Sequence, residues 1–95
     1  MIVKKHLLDD NSLMLAISDE KLIGKKINSG EKQLDMDSKF YKGETMNEEK
    51  LKNLVKEAKI INAVGEKSIE FLRKLGLIEK VSFVKKIPYA QISYL

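Results

Sequence analysis

Apolar positions along the chain recur with two different periods, and the switches between them mark the elements. Ile2 to Leu8 is apolar in character, carries no helix cap and stops at Asp9-Asp10-Asn11, a turn signal between two strands. Ser12 to Ser18 follows with Leu13, Leu15 and Ile17 on one face and Met14 and Ala16 on the other. Both faces are apolar, which places this strand centrally in a sheet. Gln33 to Asp37 alternates, with Leu34 and Met36 inward and Asp35 and Asp37 outward, as in a sheet with one wet face.

The period changes at Asn47-Glu48-Glu49-Lys50. Asn47 accepts from the free amides of a helix whose inward stripe is Leu51, Leu54, Val55 and Ala58, and the two glutamates suit its positive end. Ile60-Ile61 breaks the phase and predicts a short extended connection. A second helix is expected within Asn62 to Gly76, burying Ile69, Leu72 and Leu75 and ending on Gly76 with Leu77 as its hydrophobic contact. The stripe also continues through Ile61, Val64 and Ser68, so one long kinked helix over 47–76 stays open. Val81 to Ile87 and Tyr89 to Tyr94 predict two strands parted by Pro88, which marks an edge or a bend because it cannot donate to a ladder. The expected architecture is a single α+β domain over residues 1–95. It is a two-layer sandwich: a mostly antiparallel sheet of about four to five strands, with two helices on one face.

Composition narrows the function classes. No apolar run reaches the length of a membrane span, and the N-terminus lacks the pattern of a signal peptide. With no cysteine there is no disulfide, thiolate metal site or cysteine nucleophile, and a cytoplasmic location is expected. The net charge of +4 is unevenly spread. Residues 1–46 hold eight basic and eight acidic side chains, whereas residues 47–95 hold ten and six. Arg73 is the only arginine, so this excess is suited to a phosphate backbone rather than to reading base sequence. A solvated lysine-rich surface accounts for the same numbers.

Four stretches carry candidate chemistry. Asn62-Ala63-Val64-Gly65-Glu66-Lys67 opens a helix: Asn62 as cap, Gly65 for close approach and Lys67 nearby would hold an anion on the free amides, with Glu66 opposing it; an ordinary cap whose glycine allows close packing on the sheet accounts for the same residues. Lys39-Phe40-Tyr41-Lys42 interleaves rings with cations, the arrangement that holds single-stranded nucleic acid. A buried ring beside a half-exposed one accounts for the same residues. Gly24-Lys25 is not a nucleotide triphosphate loop, because the upstream glycine is missing and Lys26 follows. Asp35 and Asp37 alone are too few oxygens for a metal site, and none is expected. His6 is the lone histidine, read as a surface residue, and nothing in the chain supplies a triad around it. No catalytic residue and no cofactor are expected.

The ordered set Asp19-Glu20, Leu22, Gly24-Lys25, Phe40-Tyr41, Gly43, Asn62-x-Val64-Gly65-Glu66, Gly76-Leu77-Ile78 and Ile87-Pro88-Tyr89-Ala90-Gln91 resembles a small archaeal family, domain of unknown function 424. The resemblance implies an archaeal cytoplasmic protein with a two-layer α+β fold and carries over no catalytic residue. The family's usual histidine after the proline is Tyr89 here, which argues against any role that needs an imidazole there. The leading expectation is a non-enzymatic binding module for RNA or a ribonucleoprotein. The alternative is a small anion or nucleotide site, enzymatic or not, around Asn62, Gly65 and Pro88 to Gln91. A homo-oligomer through an edge strand near 88–95 is a third partner expectation.

Overall fold

A computed structural model describes residues 1–78 and 80–94. Strands β1 (Ile2–Leu7) and β2 (Leu13–Ser18) form an antiparallel hairpin. Its turn is closed by Leu8 N–H to Ser12 O and Asn11 N–H to Leu8 O, both 2.9 Å. A short 3₁₀ turn (Glu20–Leu22) leads to a second hairpin, β3 (Lys26–Ser29) and β4 (Lys32–Asp35). Next come β5 (Glu44–Thr45), α1 (Glu48–Val55), β6 (Ala58–Val64), α2 (Glu66–Lys74), β7 (Ser82–Val84) and β8 (Ile87–Ser93).

Among the described residues the main sheet has six strands in the order β5-β1-β2-β6-β8-β7, and β3-β4 is a separate two-stranded sheet. This corrects the expected four to five strands. The sheet is mixed: β2 and β6 run parallel, while its other pairings are antiparallel. The expected connection at Ile60-Ile61 is the middle of β6, a strand flanked by β2 and β8. Its two faces meet different layers, Ile61 and Ala63 in one core and Val64 in the other, so adjacent apolar residues both find apolar surroundings. A strand between α1 and α2 also excludes the single kinked helix. The helix stripe misleads at Ala58, Ile61 and Val64 because a strand buried on both faces has no clean period of its own.

Both helices lie on one face, as expected. Their inward residues Leu51, Val55, Ile69 and Leu72 pack on Val3, Leu15, Ile17, Ile61 and Ala63. Each such aliphatic side chain contributes about 1.5–3 kcal/mol by leaving water. The opposite face is not simply wet. The β3-β4 hairpin folds over part of it, burying Leu22, Leu34, Met36, Val64 and Val84 in a second core.

Local chemistry fixes the helix ends. The Asn47 carboxamide oxygen accepts from Lys50 N–H at 2.8 Å, the expected cap of α1. At the end of α2, Gly76 takes φ +73°, with Gly76 N–H on Arg73 O at 2.9 Å and Leu77 N–H on Leu72 O at 3.1 Å. These two bonds satisfy the last carbonyls as the Gly76-Leu77 pair predicts.

The C-terminal hairpin differs from expectation. Its turn is at Lys85-Lys86, and Pro88 lies inside β8, buried, opposite Phe83 of β7. The Pro88 carbonyl accepts from Gly65 N–H at 2.8 Å, so its ring nitrogen faces the end of β6, beyond the last β6–β8 pair of Val64 with Tyr89, and Pro88 costs the ladder little. Leu95, the last residue of the expected edge strand, lies outside the described residues. Lys85 and Lys86 hold φ of +46° and +69°, left-handed values that a two-residue hairpin turn requires and Asn-Gly adopts more readily. The double substitution Lys85→Asn, Lys86→Gly is expected to stabilise the protein by about 1 kcal/mol, read as a higher urea midpoint at unchanged slope.

Candidate functional site

Parallel pairing brings the ends of β2 and β6 together, with Ser18 opposite Val64 and Asp19 N–H on Val64 O at 3.1 Å. Asp19 therefore sits beside the start of α2. It is 2% exposed and its carboxylate accepts from Lys67 N–H (3.1 Å), Ser68 N–H (2.8 Å) and Ser68 Oγ–H (2.8 Å). The helix start thus already holds an anion, supplied by the chain itself. This corrects the expected cap, and the three residues expected around it stand as follows. Asn62 belongs to β6 and caps nothing. Gly65 is the residue that flanks the helix, and it approaches Asp19 rather than a ligand. The Lys67 amide is engaged by Asp19, and its side chain is exposed.

Asn62 points elsewhere. On the sheet face away from the helices it is opposite Gln91 of β8 and Ala16 of β2, and its Nδ2 makes a long contact of 3.7 Å to Met14 Sδ. Directly opposed residues of an antiparallel pair share a face, so two carboxamides stand side by side. They line a groove of about 450 Å³ together with Tyr41, Tyr89, Ser82 and Lys80, over a floor that includes Leu34 and Val64. Among the described residues no carboxylate lines it, and Lys80 is its charged group. Burial raises the Tyr41 phenol above its ordinary pKa, so at neutral pH it is an uncharged hydrogen-bond donor. The set can donate and accept at several points and stack on two phenol rings. It offers no obvious proton-transfer pair.

The aromatic stretch forms the near wall. The loop 38–43 lays Phe40 on His6, with ring centroids 4.6 Å apart and planes at 20°, and Phe40 O lies 2.9 Å from His6 Nε2. Tyr41 meets Phe40 edge-on at 4.9 Å. His6, expected on the surface, is half-buried in this stack. Both Phe40 and Tyr41 are half-buried, and Lys39 and Lys42 are exposed. Lys42 Nζ is 2.9 Å from Asp37, holding that carboxyl below its usual pKa. Of the two sequence-derived site sets, Tyr41 from one and Asn62 from the other converge in this groove, while Gly65 and Lys67 lie apart from it. Lys80 and Ser82 carry no sequence signal, because only the turn at Lys85-Lys86 returns them to the face. Gln91 and Tyr89 were visible in the Pro88 to Gln91 segment but not as partners of Asn62.

The family model described as protein of unknown function DUF424 matches residues 6–95. The chain belongs to this family. Among solved structures, the chain is similar to an uncharacterized conserved protein from Methanopyrus kandleri, with 25% identity and a TM-score of 0.81, covering 99% of this chain and 90% of that one. No curated protein matches. The stretch Asn62-x-Val64-Gly65 spans two structural jobs: Asn62 in the groove, and Gly65 against Asp19. The Pro88 to Gln91 motif is divided similarly. Pro88 O accepts from Gly65 N–H at 2.8 Å, while Tyr89 and Gln91 face the groove. Among the described residues no helix is long and apolar enough to cross a membrane.

Proposed function

We propose that the protein is a non-enzymatic binding module for RNA or a ribonucleoprotein partner, with the Tyr41-Asn62-Gln91 groove receiving an unpaired base. The supporting observation is the meeting of Tyr41, Asn62, Tyr89 and Gln91 on one partly open sheet face. Carboxamides offer a donor and an acceptor at the spacing of a base edge, and phenol rings offer stacking surfaces. Lys80 at the groove and exposed Lys39 beside the aromatic stack are placed to meet flanking phosphates. The Methanopyrus relative supports an archaeal source, and RNA as the partner fits a cytoplasmic location.

Binding to a mixed single-stranded RNA pool is expected to weaken linearly with log salt, by about 0.7 log units per phosphate contact. Tyr41→Ala is expected to cost about 1–3 kcal/mol of that affinity, and Lys39→Ala to flatten the salt slope. Absence of binding at low salt removes the proposal. The second reading is a free nucleotide, favoured by Lys80 standing beside the paired carboxamides. It predicts that a mononucleotide saturates the groove and that longer RNA binds no tighter. Self-association along β8 remains a partner proposal, since β7 pairs only with Ile87 to Tyr89. Light scattering that shows a monomer at high concentration removes it.

A further inference from the structure

The helix-bearing side has its own unpartnered apolar surface, remote from the groove on the opposite face. Where α1 and α2 both end, Val55, Leu75, Leu77 and Tyr94 line a depression of about 430 Å³, with Lys52 and Lys56 on its rim. Ala58 also lines it, and Ala58 is opposite Leu13, which is opposite Leu7. At the depression Tyr94 is 42% exposed, and Leu7, at the end of that row of strand partners, is 73% exposed. A small domain gains nothing in stability from leaving such side chains in water at one place.

The charges decide the occupant. Lys52 and Lys56 have no ion-pair partner among the described residues, unlike Lys59 nearby, which holds Asp10 at 2.8 Å. No described carboxylate lines the depression. A second copy docked about a two-fold axis would set these lysines against their own counterparts. A bilayer surface is flat, whereas this surface is concave and accepts projecting side chains. We infer that this face docks a partner protein through an acidic amphipathic helix, whose aliphatic stripe fills the depression and whose flanking Glu or Asp side chains meet Lys52 and Lys56. This inference stands independently of the RNA reading.

The test uses the full chain and two synthetic helical peptides with the same leucine stripe, one flanked by Glu and one by Lys. Fluorescence anisotropy is expected to show the Glu peptide binding and the Lys peptide binding at least tenfold more weakly, as charge complementarity requires (roughly 1.4 kcal/mol per tenfold). The double variant Lys52→Glu, Lys56→Glu is expected to invert that preference. Its circular dichroism should stay that of the parent, because both lysines are exposed. Amide shifts on adding the Glu peptide should map to Leu75, Leu77 and Tyr94. Equal binding of both peptides, no binding of either, or indifference to the charge reversal overturns the inference. So does self-association or binding to anionic phosphatidylserine vesicles that Tyr94→Ala abolishes while peptide binding persists.

Discussion

Gly65→Ala is expected to lower stability by about 3 kcal/mol or more, shifting the thermal midpoint down by roughly 15 °C in a domain of this size. Two separate effects add. Gly65 holds φ +110° and ψ 156°, a region that is essentially glycine's alone. A Cβ at this position would also lie 2.6 Å from both carboxylate oxygens of Asp19, closer than any contact distance. Neither side can yield cheaply. Gly65 N–H is tied to Pro88 O at 2.8 Å, and the Asp19 carboxylate is pinned by three donors. Urea unfolding of the purified variant measures the loss. A loss below about 1 kcal/mol would mean that the turn relaxes and that the close approach of Gly65 to Asp19 is not a constraint.

Asp19→Ala is expected to cost about as much, near 3 kcal/mol, for an electrostatic reason. The carboxylate satisfies two helix-start amides and the hydroxyl of Ser68, which is 0% exposed. Bonds to a charged acceptor contribute about 1.5–3 kcal/mol, and buried donors left without a partner add a penalty of their own. Asp19→Asn keeps one acceptor oxygen and the shape, so it should lose less than Asp19→Ala. The double variant Asp19→Ala, Gly65→Ala should lose clearly less than the sum of the singles, since removing the carboxylate removes the overlap and leaves the backbone strain. Additive losses would show that the two residues do not constrain one another. Both singles should leave the proposed RNA binding as it is in the parent under conditions where the variants are folded, because neither residue lines the groove.

The same pair shows where sequence reasoning is strong and where it stops. Helix ends were legible because capping is local: Asn47 reaches Lys50 three residues on, and Gly76 closes its own last turn. Leu34 and Met36 were legible because a strand with one covered face alternates. The central β6 was not, because burial on both faces erases the period that distinguishes strand from helix. Pro88 misplaced the last turn because its ring forbids only one hydrogen bond, and that bond would fall at the end of β6, beyond the last β6–β8 pair, where it is forgone at little cost. Lys85-Lys86 carries no turn signal, since lysine adopts left-handed φ only when the paired strands impose it.

The candidate site divides in the same way. The sequence alone marked Asn62, Gly65 and the Phe40-Tyr41 pair as chemically notable. It could not say that Asn62 and Gly65, three residues apart, serve different faces and different purposes. That depends on β6 running parallel to β2 and antiparallel to β8, which places Asp19 against Gly65 and Gln91 beside Asn62. The sequence by itself determined the local elements: the helix stripes, the caps, the cysteine-free composition and the family motifs, all set by neighbours within a few residues. Only the tertiary structure decided that the free amides of α2 are held by Asp19 and that Tyr41 and Asn62 line one groove. Both arrangements bring together residues more than twenty positions apart, and no local propensity encodes which distant strand will lie alongside.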